Sequence, residues 1–313
     1  MSSEAVRTIN HCARLGRRMV SFEANQAQRR ADRRLRVGVA RHLRLALSSL
    51  SDGRVFPRRA KVGCVGDSIT AGSHSTGGDY SNMTYPAQMQ RFFDSASPGG
   101  YEVTNLGASG ATMLRKSDDT YWKRDQYNQF VNGTWDVVVI MLGTNDAKDV
   151  GDHHGHHVGP DNWHHDCGKA LAEKGSLEGC SYASDYAHFL SLAAKQGPGG
   201  GAPKIFVAVP PPLMKASFDG MNQTVINTLY PVLIPLIAKA SPVPLSGPPI
   251  NVFECLGGVP GWKSLFPGDG CAVDTGQRWP PCANFCDEQS CNQVHPNDVG
   301  YSALARCIMK AIA

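Results

Sequence analysis

The chain has 313 residues, of which 42% are hydrophobic and 19% charged, so it can bury a sizeable core and is not a largely disordered protein. No run approaches the roughly 20 consecutive apolar residues of a membrane span. The net charge of +4 arises at one end, because residues 1–61 hold 15 Lys+Arg against 4 Asp+Glu. The remainder is acidic, and we expect no nucleic-acid partner.

The first predicted element is a basic amphipathic helix in an N-terminal extension, residues 1–60. Apolar residues recur at helical spacing among many arginines: Leu35, Val39, Leu43, Leu47 and Leu50. Three interpretations remain open: a solvated helix packed on the rest of the protein, a removable targeting segment, or a segment that contacts an anionic membrane or polymer surface. The extension lacks the apolar stretch of a secretory signal peptide.

From residue 61 onward, short β-branched runs alternate with helical stretches. The predicted strands are 61–65, 101–106, 135–142, 204–209 and 250–253, and each is continuously apolar, as in a strand covered on both faces. The pattern predicts an α/β fold, a three-layer α/β/α sandwich with a five-stranded parallel sheet. A final helix is predicted after Pro296, with Asn297 or Asp298 as its cap and an apolar face formed by Tyr301, Leu304, Ile308 and Ile312.

Two inserts interrupt the domain 61–313. Residues 149–180 hold six of the eleven histidines within thirteen positions, and residues 255–291 hold a cysteine cluster. The histidines fit either a solvated, pH-sensitive loop or a Zn or Cu site, although no spacing matches a defined metal centre. Trp163 and Tyr121 are candidate apolar or sugar-stacking walls, or simply core residues.

The ten cysteines favour disulfides and an oxidising compartment. No paired C-x-x-C units support a zinc site. Three N-x-S/T tripeptides fit a secreted glycoprotein, and they begin at Asn82, Asn132 and Asn222. With no signal peptide evident, an unusual targeting segment, another route to that compartment, or largely free thiols remain open.

Polar residues follow three of the predicted strands at the edge where parallel sheets bind ligands. Ser68 lies in a Gly-Asp-Ser turn after the first strand, Gly107 ends the second, and Asn145 follows the third. With His295 as general base, Ser68 can act as a nucleophile. The backbone N–H groups of Ser68 and Gly107 and the Asn145 side-chain amide are candidate oxyanion donors. Asp67 and Asp146 are interpreted as residues that hold turns.

These segments resemble the four sequence blocks of the SGNH, or GDSL-type, hydrolases. The blocks correspond to residues 66–69, 105–110, 143–146 and 295–297, and the wider phrases at 107–113, 142–148 and 209–212 are similar to carbohydrate and sialate O-acetylesterases. The resemblance covers residues 61–313. It implies a flavodoxin-like sandwich, no metal or other cofactor, and ester hydrolysis through an acyl-serine intermediate.

Asn292 departs from the family pattern, which has an aspartate three residues before the histidine. A neutral acceptor contributes about 0.5–1.5 kcal/mol, against roughly 1.5–3 for a charged one. In a serine protease the equivalent change lowers turnover about ten-thousand-fold through the wrong tautomer. A weak or inactive esterase, a third member recruited from Asp287, Asp298 or a backbone carbonyl, and an introduced substitution all remain open.

The sequence therefore predicts a serine esterase that removes a short acyl group, acetyl first of all, from a carbohydrate or similar alcohol. Ser68, His295 and Asn292 are its expected catalytic residues. Two alternatives are a lipase or lysophospholipase with longer acyl specificity, and a binding module that has lost catalysis because of Asn292. The sequence does not indicate an oligomeric state.

Overall fold

The computed structural model of the chain describes residues 58–148, 167–168, 170–171, 175–215, 217–258, 282–286 and 291–312. The chain divides into two units, Met1–Pro57 and Arg58–Ala313, and the described residues belong to the second. The basic helix predicted in residues 1–60, the histidine cluster of the first insert with Trp163, and most of the second insert with Asp287 lie outside the described residues.

One parallel sheet forms the centre of the second unit. Its strands are β1 Ala60–Gly66, β2 Tyr101–Gly107, β3 Val137–Met141, β4 Lys204–Val209 and β7 Ile250–Asn251, and their order across the sheet is β2-β1-β3-β4-β7. The predicted five-stranded parallel sheet is confirmed. Because β1 pairs with β2 on one side and β3 on the other, the strand order reverses at β1, where ligand crevices form in such sheets.

Helices cover both faces of this sheet: α1 Ser68–Ala71, α2 Tyr85–Ala96, α3 Asp125–Val131, α4 Ser181–Ala193, α5 Tyr230–Lys239, α6 Val252–Cys255 and α7 Asp298–Ile312. A small antiparallel hairpin, β5 Ser217–Phe218 and β6 Met221–Asn222, follows β4. None of the described helices is long and apolar enough to cross a membrane.

Alternation along the strands builds two hydrophobic cores. In β3, Val138 and Ile140 join the core that contains Phe189 of α4, whereas Val139 joins the core that contains Tyr85 of α2. Side chains of one strand point alternately to opposite faces, so an uninterrupted apolar run supplies both cores at once. This explains why the predicted strands lack the polar alternation of a half-exposed sheet.

The predicted boundaries of the last strand were less accurate than those of the last helix. The predicted strand 250–253 is too long, because β7 stops at Asn251, whose Oδ1 accepts the Glu254 N–H at 3.1 Å and so caps α6. The final helix is confirmed. Asn297 Oδ1 accepts the Gly300 N–H at 3.0 Å, and the predicted apolar residues of α7 are buried.

The expected disulfides are confirmed in the described part of the chain. They join Cys167 to Cys180, Cys255 to Cys307 and Cys286 to Cys291, and Cys282 is also disulfide-bonded. Cys64 of β1 is a free thiol that is fully buried. Burial raises the pKa of this thiol to about 12, so it is an unreactive core residue in the folded protein.

Candidate active site

Ser68 lies where the central strand β1 turns into helix α1. Asp67 is the N-cap of α1, and its Oδ1 accepts the Ile69 N–H at 2.9 Å. This bond fixes the direction in which the chain leaves the sheet. Ser68 is the first residue of the helix, so its N–H has no acceptor within the helix and can serve a ligand. Its side chain is placed at the carboxyl edge of the sheet.

The loop before α7 brings His295 to this serine. The distance between His295 Nε2 and Ser68 Oγ is 2.8 Å, although the two residues are separated by 227 positions. Burial lowers the pKa of His295 to about 4, with a smaller effect of His74 in the same direction and an opposing effect of Asp79. The imidazole is therefore neutral at neutral pH, which is the state that can accept the serine proton.

Asn292 occupies the position of the expected third member. Its Oδ1 lies 3.2 Å from His295 Nδ1. The same oxygen accepts the backbone N–H groups of Val294 at 3.0 Å and His295 at 2.9 Å. Only the amide oxygen can accept these two bonds, so it is the oxygen, not the NH₂ group, that faces the imidazole. That orientation favours the tautomer with the proton on Nδ1 and a free lone pair on Nε2.

A compact set of bonds holds the Asn292–His295 segment. The Cys286–Cys291 disulfide immediately precedes Asn292, whose N–H donates to Phe285 O at 3.2 Å. Asn297 Nδ2 donates to Cys286 O at 3.0 Å from the other side. The triad segment is thus attached at both ends to residues 282–286.

The carboxylate of Asp298 has a partner in another loop. Its Oδ1 accepts the Thr76 N–H at 2.8 Å, which ties α7 to the loop that follows the nucleophile. The other carboxyl candidate, Asp287, lies outside the described residues. Asn292 is therefore the acceptor that the structure places at His295 Nδ1.

Two of the expected oxyanion donors, Asn145 and Gly107, have different hydrogen-bond environments. Asn145 is buried, begins a 3-10 helix after β3, and directs its Nδ2 to Ala111 O at 3.1 Å. The Gly107 N–H, in contrast, donates to Asn105 Oδ1 at 3.0 Å. That amide already has an acceptor in its own strand, so the assignment of Gly107 as a donor needs correction.

Gly107 instead allows β2 and α1 to approach each other. A Cβ at this position would lie 2.3 Å from Ala71 N. Three residues later, Gly110 has a φ of 80° inside a turn closed by the bond from Ala111 N–H to Ala108 O. Asn145 bonds the carbonyl of the last residue in this turn. Gly107 ends the strand, whereas Gly110 lies in the turn that follows it. The spacing of the glycines in the sequence did not reveal this turn.

Two buried carboxyl groups, those of Asp67 and Asp146, hold the backbone segments around the site. Asp146 accepts the N–H groups of Met113 at 2.9 Å and Leu114 at 2.8 Å, so it holds the segment after the Gly110 turn. Burial raises the pKa values of Asp67 and Asp146 to about 7. Both residues hold turns, as expected, and Tyr121 is a core residue whose hydroxyl donates to Leu106 O at 2.8 Å.

No group of three His, Cys, Asp or Glu side chains in the described ranges is arranged to hold a metal ion. The chemistry of the site lies in the Ser68–His295 pair and the amide of Asn292. A serine whose hydroxyl faces a neutral, oriented imidazole at a strand end can attack a carbonyl carbon. An α/β fold with such a pair at the carboxyl edge of its sheet indicates a hydrolase.

Comparison with known proteins agrees with that class. The model of the GDSL-like Lipase/Acylhydrolase family matches residues 64–303, and the chain belongs to this family. The expected membership among GDSL-type carboxylic ester hydrolases is confirmed.

Individual relatives are more distant. The acetylxylan esterase of Xylanibacter ruminicola is 30% identical in an alignment 189 residues long, which covers 55% of this chain and 32% of that protein. The chain thus spans about a third of the length of this relative. A solved crystal structure superposes with a TM-score of 0.50 at 16% identity, covering 82% of this chain and 96% of the other, and shows the shared fold. Axe2, an acetylxylan esterase from Geobacillus stearothermophilus, has a TM-score of 0.47 at 16% identity, covering 82% of this chain and 96% of its own.

Proposed function

We propose that this protein is a serine esterase that removes acetyl groups from a hydroxylated molecule, a carbohydrate first of all, through an acyl-serine intermediate. The observation that carries the proposal is the 2.8 Å contact between His295 Nε2 and Ser68 Oγ, at the carboxyl edge of the sheet. The acetyl group and the carbohydrate are supported by the acetylxylan esterase among its relatives.

In the first half of the reaction, His295 Nε2 takes the proton of Ser68 Oγ while this oxygen attacks the ester carbonyl carbon. The imidazolium that forms keeps its Nδ1–H directed at Asn292 Oδ1, 3.2 Å away. Collapse of the tetrahedral intermediate transfers the Nε2 proton to the leaving alcohol and leaves acetyl-Ser68.

In the second half, a water molecule takes the place of the alcohol. His295 Nε2 removes its proton as the water oxygen attacks the acyl carbon, and the proton then returns to Ser68 Oγ when acetate leaves. The lowered pKa of His295, about 4, keeps this base neutral over most of the acid range as well as at neutral pH.

Three donors are assigned to the oxyanion: the Ser68 N–H, the Asn145 Nδ2 and the Gly110 N–H. Gly110 replaces Gly107 in this role because the Gly107 N–H is bonded to Asn105 Oδ1. The turn that holds Gly110 is also the one that Asn145 contacts through Ala111 O. Donors fixed in this way need no reorganisation when negative charge develops.

Asn292 is assigned a positive role as a neutral third member. The backbone N–H groups of Val294 and His295 hold the Asn292 oxygen toward His295 Nδ1. If the NH₂ group faced the imidazole instead, the proton would sit on Nε2 and His295 could not act as the base. The observed orientation disfavours that tautomer. What remains lost is the charge, which would stabilise the imidazolium further. We expect an active enzyme of reduced turnover, in preference to a binding module.

The test is hydrolysis of p-nitrophenyl acetate by the full chain and by Ser68→Ala. Loss of hydrolysis in the variant is expected, and undiminished activity would remove Ser68 from the mechanism. Comparison of acetyl with octanoyl esters separates an acetylesterase from a lipase or lysophospholipase. An inactive unaltered protein that still binds acetylated sugar would favour the binding module.

The disulfides favour an oxidising location, and we propose a secreted or lumenal protein. The sequon residues Asn82 and Asn132 are exposed and can carry glycans. Contact of the basic N-terminal segment with an anionic surface stays a prediction. Deleting residues 1–55 should then abolish salt-sensitive surface binding without altering hydrolysis.

A further inference from the structure

An exposed aromatic side chain lies in the loop that follows α1. Tyr80 is 52% exposed, and the other large exposed hydrophobic side chains of the described residues, Val232 and Val299, are aliphatic. The Tyr80 N–H donates to Ala71 O at 2.7 Å, and Ala71 is the last residue of α1, which Ser68 begins. The backbone of Tyr80 is therefore attached to the end of the helix that begins at Ser68.

The hydroxyl of this tyrosine is fixed as well. It donates to Gly107 O at 2.6 Å and accepts the Gln126 Nε2–H at 2.6 Å. Gly107 ends β2 and pairs with Gly66 of β1, two residues before Ser68. A side chain held at its backbone and at its tip has little conformational freedom left to lose when a ligand binds.

A carboxylate accompanies the ring. Asp79 is exposed, and it accepts the hydroxyl of Ser73 at 2.6 Å and that of Ser109 at 2.5 Å. Ser73 lies just after α1 and Ser109 in the Gly110 turn, so Asp79 joins the two segments that border the nucleophile. A carboxylate has about four acceptor positions, which leaves capacity for a ligand hydroxyl.

The backbone of this loop is strained. Tyr80 has a φ of 60° and His74 a φ of 70°, two of the three non-glycine residues with positive φ among those described. Such backbone conformations are unfavourable for residues other than glycine and tend to occur at ligand sites. Both residues belong to the loop after α1 that also holds the exposed Asp79.

We propose that Tyr80 and Asp79 form the subsite for the leaving alcohol and that this alcohol is a sugar. The C–H face of a pyranose ring stacks on Tyr80, while Asp79 accepts one of its hydroxyl groups. This inference rests on the proposed acetylesterase function and names the residues that hold the sugar. An aromatic face beside a hydrogen-bond acceptor matches a sugar, which is apolar on one face and hydroxylated at its edge.

The experiment compares an acetylated xylo-oligosaccharide with ethyl acetate, an ester of the same acid with a small acyclic alcohol. p-Nitrophenyl acetate is unsuitable here because its own ring can stack. In Tyr80→Ala, kcat/KM for the oligosaccharide should fall about tenfold more than kcat/KM for ethyl acetate, mainly through KM. Tyr80→Phe retains the ring and should lose less of this selectivity.

The matched control is Val232→Ala, which removes an equally exposed apolar side chain from α5. It should leave both substrates unaffected. Equal losses on both substrates in Tyr80→Ala, or no loss on either, would overturn the subsite.

Binding separates this result from failure of the esterase itself. In the Ser68→Ala background, calorimetry with a xylo-oligosaccharide should give weaker binding when Tyr80→Ala is added. Equal affinity with and without Tyr80→Ala overturns the subsite even if hydrolysis is real. Weaker binding supports the subsite even in a protein without turnover.

Discussion

Restoring a carboxylate beside His295 is the sharpest test of the catalytic geometry. In Asn292→Asp the new carboxylate would occupy the position of an oxygen that already lies 3.2 Å from Nδ1 and already accepts two backbone N–H groups. The backbone bonds would stabilise the negative charge as well, so the substitution should not disturb the loop.

The expected gain follows from the strength of the two acceptors. A charged acceptor contributes about 1 to 1.5 kcal/mol more than a neutral one, which corresponds to about tenfold in kcat if the difference is fully realised with the imidazolium. This is far below the roughly ten-thousand-fold effect seen in a serine protease, because the tautomer is already correct here.

The assay is the pH dependence of p-nitrophenyl acetate hydrolysis, with Asn292→Ala as the control that removes the acceptor. The carboxylate should also raise the pKa of His295 from about 4, so that the acid limb of kcat/KM moves to higher pH. An increase of a thousandfold or more would show that Asn292 leaves the wrong tautomer. An unchanged rate with an unchanged acid limb would refute the assigned role of Asn292.

Further predictions concern the base, the loop and the turn. In the unaltered protein kcat/KM should fall only below about pH 4, as His295 becomes protonated, and an acid limb near the ordinary pKa of 6.5 would contradict the burial argument. Replacing both Cys286 and Cys291 by serine should lower kcat about tenfold or more with little change in Tm, because their short disulfide loop precedes Asn292. Loss of the Cys255–Cys307 disulfide, which joins α6 to α7, should mainly lower Tm. Gly107→Ala should destabilise the fold by about 1–3 kcal/mol in urea unfolding, since its Cβ would lie 2.3 Å from Ala71 N; unchanged stability would show that α1 can move aside.

The sheet could be predicted from sequence because its signal is local. Continuous apolar runs such as β3 reveal a strand covered on both faces, and α7 shows its buried stripe directly. The end of β7 could not be located, because an asparagine side chain capping the next helix competes with strand pairing, and both outcomes fit the same apolar residues.

The sequence was sufficient to predict which residues form the site. It was not sufficient to predict which atoms of those residues form hydrogen bonds with each other. Ser68 and His295 follow from motifs whose order and strand-end positions agree with one fold. Whether the amide oxygen of Asn292 faces the imidazole depends on two backbone N–H groups whose positions appear only in three dimensions. The same holds for Gly107, whose N–H is bonded to a side chain two residues away.

The buried thiol of Cys64 can serve as a chemical probe of unfolding. The thiol lies in the central strand with none of its surface exposed, so a thiol reagent can reach it only when the sheet opens. Once released, it regains an ordinary pKa of about 8.5 and becomes a nucleophile toward the disulfides that surround the triad loop. Heating in alkaline buffer should therefore convert a reversible transition into scrambled disulfides, and the labelling rate of this one position would time the event.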